Sequence, residues 1–233
     1  MTRPKYNKSE PFNHNLLPEE NIDAQVVKLV PKGSNVLELG CATGYISEYL
    51  IKENLCSVTG IELDLASSEL AKDKATKIIC GDLETSDTWE KIYGLGQFDI
   101  IMACAVLEHL KAPDLCLKRC KDALIPTGKM LITLPNINHW SARLRFAFGK
   151  FHYDEYGLFD NTHLRFFTFY TAKKMFDDIG LIVEYVSFEA KGMPIISGIL
   201  RRILGKKGEN KFYNISPDLF AYQMLFVCRK DNV

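Results

Sequence analysis

The chain is 233 residues long and 47% hydrophobic, enough for one α/β domain over 1–233 with its own core and room for a modest insertion. Lysine plus arginine equals aspartate plus glutamate at 29 each, so no long-range positive field gathers nucleic acid, and no such partner is expected. Seven scattered cysteines without a CxxC pair read as reduced thiols of a cytoplasmic protein, and neither a signal peptide in polar Met1–Lys8 nor a bilayer-spanning apolar run is expected.

Residues 1–17, with Pro4, Pro11 and several asparagines, read as an irregular arm. Pro18 suits the first turn of a helix whose apolar face is Ile22, Val26, Leu29 and Val30, stopped by Pro31-Lys32-Gly33. Asn35–Gly44, NVLELGCATG, then runs from a short strand into glycine-rich backbone, and Ile46, Tyr49 and Leu50 repeat at helical spacing through Asn54. A strand, a tight turn and a helix N-terminus together cradle a nucleotide. The glycines let backbone N–H groups approach a ligand closely, and the helix end favours negative charge.

Cys56–Glu62 predicts a second strand, Leu65–Lys74 a helix, Lys77–Cys80 a third strand and Thr88–Tyr93 a short helix. Phe98–Cys104 is almost wholly apolar, as expected of a strand covered on both faces. Pro113 opens a helix with Leu117, Cys120 and Leu124 on one side, and Pro126-Thr127-Gly128 turns the chain into a fifth strand, Lys129–Leu134. Alternating strands and helices imply a doubly wound parallel sheet with right-handed crossovers.

After Leu134 the rhythm breaks. Residues 135–170 form an aromatic and basic cover segment with one helix near Trp140–Phe148. Thr171 is expected to cap a helix carrying Ala172, Met175, Phe176 and Ile179, closed by Gly180. Leu181–Phe188 and Leu219–Cys228 are the last two strands, separated by an insertion over 192–214. Within it, 194–207 places Ile196, Ile199, Leu200 and Ile203 on one face with Arg201, Arg202, Lys206 and Lys207 nearby. Such a helix either packs on its own domain or makes peripheral contact with an anionic membrane.

From Gly40 the turn reads G-C-A-T-G-Y, so Ala42 and Tyr45 occupy the second and third glycine places of the dinucleotide fingerprint, a poor match to an NAD site. Glu38, Gly40, Ala42 and Gly44 instead resemble the first motif of class I S-adenosylmethionine-dependent methyltransferases, an acid followed by glycines at alternate positions. Alanine replaces the middle glycine, and it fits there at negative φ. The resemblance runs from Leu17 to Cys228. It implies a Rossmann-like methyltransferase fold of seven strands, mostly parallel with the last antiparallel in a hairpin-like pair, and S-adenosylmethionine as cofactor.

It also implies site roles. Glu38 lies beneath the loop, with the backbone of Gly40, Cys41, Ala42 and Gly44 around the ligand. Glu62 ends the second strand about twenty residues beyond the glycine turn, where an acid accepts ribose hydroxyl protons. Asp82 faces the adenine amino group, Leu63 and Leu83 sandwich the ring, and the carbonyls of Ala103 and Cys104 receive the methionine ammonium. Singly, Glu62 or Asp82 reads first as a helix cap or a solvated strand end rather than a ligand. The ordered set carries the inference.

Methyl transfer from a sulfonium is an in-line displacement, so the protein aligns the reactants and excludes water. A hydroxyl acceptor also benefits from a base near neutrality, for which histidine is the default. His109 follows the fourth strand, and His139, His152 and His163 lie in the cover segment. VLEHL, Val106–Leu110, resembles the quinone-pathway O-methyltransferases. Some enzymes with this Glu-His pair hold a divalent metal with a further upstream acid. Ala105 stands at that acid's place, and no metal is expected. Glu108 and His109 are either a locally bonded helix-start pair or substrate groups.

GLFDNTHLRFFT, Gly157–Thr168, together with PNINHW, Pro135–Trp140, is similar to methyltransferases of bacterial surface-polysaccharide and sugar-modification pathways. Asp160, His163 and Arg165 form either an acid–base–clamp group with His163 as base, or a latch in which Asp160 and Arg165 pair. Trp140, Phe151, Tyr153, Tyr156 and Phe159 are expected to roof the site. CAVLEH stands where base and protein N-methyltransferases carry a Pro-Pro-aromatic motif, which weighs against those acceptors. The expected activity is methylation of a hydroxyl on a sugar, glycan or other small metabolite. The alternatives are a quinone-like phenol, another small carbon or nitrogen acceptor, or a silent cofactor-binding partner of a glycosyltransferase.

Overall fold

Asn35–Leu39 (β1) lies inside a sheet, with parallel neighbours on both sides: Glu38 lies opposite Gly60 on one and Met102 on the other. The other strands are Ser57–Glu62 (β2), Lys77–Cys80 (β3), Phe98–Cys104 (β4), Leu124–Pro135 (β5), Leu181–Ala190 (β6) and Ala221–Lys230 (β7), in the order β3-β2-β1-β4-β5-β7-β6. β7 lies between β5 and β6, antiparallel to both. These coordinates are a computed structural model that describes residues 20–192 and 216–231, with single residues 12, 17, 18, 198, 202, 203, 205, 208 and 213. The arm expected over 1–17 and the amphipathic helix over 194–207 fall almost wholly outside the described residues.

Helices Ile22–Leu29 (α1) and Tyr45–Asn54 (α2) cover one face through Val26, Val27, Ile46 and Leu50. Ser86–Tyr93 (α4), Pro113–Ala123 (α5) and Phe169–Asp178 (α7) cover the other through Trp89, Ile92, Leu117 and Phe176. Leu65–Ala71 (α3) packs beside β2 and β3, Trp140–Ala147 (α6) lies in the cover segment, and Pro217–Phe220 (α8) leads into β7. Burial on both faces explains why β4 needs an unbroken apolar run.

Several expected boundaries move, each for a local reason. α1 starts at Ile22 because the Asn21 side chain accepts from the Ala24 N–H as its cap, and Val27 rather than half-exposed Leu29 completes the buried face. Thr168, in extended backbone, caps α7, while Thr171 is the reciprocal partner of that capping box. Pro126-Thr127-Gly128 lies inside β5 as a register shift against β4, not in a turn before it. At Gly128 a side chain would collide with Leu124 and the Asp99 carbonyl.

Candidate active site

Two cavities meet above the carboxyl ends of β1 and β4, and Gly40, Ala42, Ala105 and His109 line both. The second, about 410 Å³, is bounded by Ile61, Glu62, Leu63, Gly81, Asp82 and Leu83, which end or follow β2 and β3. The first, about 520 Å³, lies between the end of β1, the start of α1, β5, β7 and the cover segment.

The turn after β1 is built from close approaches. Gly40 has φ +63°, and a Cβ there would sit 2.7 Å from Val106 Cγ2. Cys41 is buried with its sulfur over Gly60, where a Cβ would fall 2.6 Å from it. That pairing is legible afterwards in the glycine interrupting an otherwise β-prone strand, CSVTGIE. Ala42 has φ +49°, contrary to the negative value expected for a side-chain-bearing residue. Its N–H donates to Glu62 Oε2 at 2.8 Å, which holds the strained turn in place. Gly44 takes φ +74° before Tyr45 opens α2.

Glu38 is buried under this turn and accepts a short hydrogen bond from Ser47 Oγ of α2. Burial pushes its carboxyl up to about 7; the Ser47 bond opposes that, and the Asp23 and Glu62 charges add to it.

The second cavity suits an adenosyl group. Glu62 receives the N–H groups of Ala42 and Asp64 on its two oxygens, which fixes the carboxylate at the cavity edge with acceptor capacity to spare. Asp82 is turned by the Glu84 N–H on Oδ1 and lines the same space. Leu63 is 69% exposed there, while Leu83 is buried and its carbonyl is anchored by Trp89 Nε1. Two apolar side chains and two acids thus surround a space bordered by left-handed Gly40, a lining whose chemistry matches an adenosyl group. Cys104 lines the first cavity and Ala105, at φ +53°, lines both; Ala103 lines neither, being paired within the ladder to Leu39 and Ile132.

In the first cavity, Glu108 and His109 form a 3-10 turn after β4, and the cover segment is strapped onto them. Leu164 and Arg165 donate their N–H groups to the Glu108 carbonyl, and His109 Nδ1 lies 3.2 Å from the Thr162 carbonyl. The strap brings His163 to Glu108, with Nε2 3.9 Å from Oε1, and sets the His109 and His163 rings 4.8 Å apart between centroids. Glu108 is 1% exposed and His163 9%. Burial, with a further contribution from Asp160, pushes the Glu108 carboxyl up to about 8, and among the described residues its Oε2 has no hydrogen-bond partner.

Asp160 lines this cavity and accepts from the N–H and hydroxyl of Thr162, while its carbonyl receives the His163 N–H. Arg165 is not a clamp here. Its guanidinium donates through Nε and Nη2 to the Lys111 carbonyl and lines neither cavity. Of the five expected roofing aromatics only Tyr156 lines the space. Phe159 is buried with Leu158, Phe151 meets Tyr153 and Phe159 edge-on and lines neither cavity, and Trp140 donates to the Lys191 carbonyl. Asp23, Tyr45, Thr133, Glu189, Tyr222 and Gln223 also line the wall, and no local motif marked them, since they converge from five separate elements.

The family described as "Methyltransferase domain" matches residues 13–186. The ubiquinone biosynthesis O-methyltransferase of Coxiella burnetii is 32% identical over 115 residues, 46% of this chain and 46% of that protein. The malonyl-[acyl-carrier protein] O-methyltransferase of Priestia megaterium is 30% identical over 103 residues, 42% of this chain and 35% of that protein. The matched segment thus spans half or less of the curated relatives' length. In fold, the chain is similar to an S-adenosylmethionine-dependent methyltransferase from Archaeoglobus fulgidus, with TM-score 0.62 at 19% identity over 91% of this chain and 95% of that one. It is also similar to the magnesium protoporphyrin IX methyltransferase of Synechocystis with bound S-adenosylhomocysteine, with TM-score 0.58 at 14% identity over 91% and 84%. A seven-stranded sheet with β7 reversed, an acid under a left-handed turn and three quarters of its length within that family place the chain among the class I S-adenosylmethionine-dependent methyltransferases.

Proposed function

We propose that this chain carries a methyl group from S-adenosylmethionine to a hydroxyl of a small, uncharged, hydroxyl-rich acceptor, with a sugar ring as the best-suited class. The observation that carries the acceptor is the wall of the first cavity. Asp23, Glu38, Glu108, Asp160 and Glu189 line it, and among the described residues no lysine or arginine does. An anionic acceptor meets five carboxyl groups and no fixed cation there, whereas a polyol offers hydroxyl protons to those oxygens. Tyr156 and Tyr222 add ring surface for the apolar face of a sugar. Both curated relatives are named as O-methyltransferases, which agrees with oxygen as the acceptor atom.

The cofactor supplies a methyl carbon on a sulfonium, an electrophile that needs alignment more than activation. Gly40, Ala42, Ala105 and His109, common to both cavities, form the passage between donor and acceptor. His109 and His163 stand at the acceptor side of that passage to take the hydroxyl proton, and the strap over Glu108 keeps water out.

Methyl-labelled cofactor offered with neutral glycosides, phenols, carboxylic acids and amines tests this reading. Label on a glycoside oxygen is expected, and turnover confined to acids or amines would overturn it. His163→Ala should lower turnover at least about 100-fold with S-adenosylhomocysteine affinity within about twofold. Turnover at the wild-type rate would remove His163 from the chemistry.

A further inference from the structure

We propose that Thr133 is a positioning residue for methyl transfer: its hydroxyl pins the left-handed turn at Ala105 on which the passage between the two cavities depends. The inference rests on the passage assigned above and not on the class of acceptor.

Of the residues that line both cavities, Ala42 and Ala105 carry side chains on left-handed backbone, at φ +49° and +53°. A side chain in that conformation costs on the order of 1 kcal/mol or more, so each turn needs a group that holds it. At Ala42 the group is the Glu62 carboxylate of β2, which accepts the Ala42 N–H at 2.8 Å. At Ala105 it is Thr133 of β5, whose Oγ1 accepts the Ala105 N–H at 3.0 Å. The Thr133 carbonyl is a longer second acceptor for that N–H, at 3.3 Å. Both sides of the passage are thus built alike: a strained alanine is fixed through its N–H by a side-chain oxygen of the neighbouring strand.

Thr133 stands opposite Cys104, the last residue of β4, across the parallel ladder, which places it where the chain leaves that strand. It is 2% exposed and interrupts an otherwise apolar run, Met130–Leu134. Valine would fill the same space and suits a strand equally well, so packing alone does not call for a hydroxyl. A buried hydroxyl needs partners, and here they are the Ala105 N–H and the Cys104 thiol.

The residues after Ala105 take their places from this turn. Val106 covers Gly40, and the 3-10 turn carrying Glu108 and His109 begins at Leu107. The direction of the chain at Ala105 therefore sets the width of the passage and the position of His109 beside it. In-line displacement is steep in this respect, and a misplacement of about 1 Å costs on the order of 100-fold in rate. Thr133 lies outside the lining of the second cavity, so the adenosyl group does not depend on it.

The test compares Thr133→Val and Thr133→Ser with the wild type, using the best acceptor of the panel above, whatever its class. Turnover is read beside S-adenosylhomocysteine calorimetry and hydrogen exchange of the Ala105 amide. Thr133→Val should lower kcat at least about tenfold with S-adenosylhomocysteine affinity within about twofold. Its Ala105 amide should exchange at least about tenfold faster, the loss of one hydrogen bond. Thr133→Ser keeps the oxygen and should stay near the wild type in all three. Wild-type turnover in Thr133→Val, or a loss of cofactor affinity as large as the loss of turnover, would overturn the role. If Thr133→Val fails to fold, by loss of far-ultraviolet dichroism, Thr133→Ala against Thr133→Ser decides, and equal turnover in those two would overturn it. A wild type that methylates nothing in the panel removes the hydroxyl-methylating reading by itself. The amide exchange then decides the pin, and an unchanged Ala105 rate in Thr133→Val would overturn it.

Discussion

Ala42 carries a side chain at φ +49° in the turn that both cavities share, and its N–H is fixed by Glu62. Left-handed backbone disfavours a Cβ, so Ala42→Gly should raise stability by about 0.5–1 kcal/mol, read from the urea midpoint; a lowered midpoint would show that the turn carries no strain. Glu38 gives a pH signature. Its carboxyl moves from 4.5 to about 7 on folding, so between those values the folded chain holds a proton that the unfolded chain releases. Its stabilising contribution is therefore complete below about pH 4.5 and lost as the pH rises to 7 and beyond. Glu38→Gln keeps an acceptor for Ser47 and should remove that decline, on the order of 3 kcal/mol by pH 8. Parallel stability curves for the two proteins from pH 4.5 to 8 would exclude this role. Glu38, Glu62 and Asp82 were legible because strand ends at fixed intervals set them over one sheet edge. The sign of φ at Ala42 was not, because it depends on where the Glu62 carboxylate lies.

Elements follow their periodicity except where a cap or a neighbour overrides it. Thr168 and Thr171 both suit a helix start by composition; extended backbone at φ −112° and ψ 168° selects Thr168, and the two side chains then cap each other reciprocally. Thr168→Ala should cost α7 about 1 kcal/mol in urea denaturation, and Thr168→Ser should restore most of it; an unaffected midpoint in Thr168→Ala would mean that packing of Phe176 alone fixes the helix. β5 begins at Leu124, earlier than its Pro-Thr-Gly signal suggests, because Leu124 pairs with Phe98 across the register shift. The cover segment shows the same limit. Its motif pointed to Asp160, His163 and Arg165 as one group, yet the backbone sends Arg165 to the Lys111 carbonyl while Asp160 and His163 line the cavity. Adjacent residues in an irregular segment share no face, so sequence proximity there does not predict spatial proximity.

For the molecule as a whole, the second cavity joins the turn after β1, the ends of β2 and β3 and the turn after β4, so its occupancy by the cofactor should stabilise the entire fold. S-adenosylhomocysteine at 100 times its Kd should add about 2.7 kcal/mol, measured as a concentration-dependent rise in Tm. Glu62→Ala should lower affinity at least about tenfold and shrink that rise; an undiminished rise in the variant would move the adenosyl site away from the second cavity. Among the described residues no helix is long and apolar enough to cross a membrane.

By itself the sequence determined the alternation of strands and helices, the acid-and-glycine turn and the carboxylates at successive strand ends, since each depends on local periodicity and short-range backbone geometry. The tertiary structure decided the acceptor wall, the departure of Arg165 from its group and the meeting of His163 with Glu108 and His109. Those contacts join segments that nothing in the local sequence links, and only the closing of the cover strap brings their side chains within reach of one another.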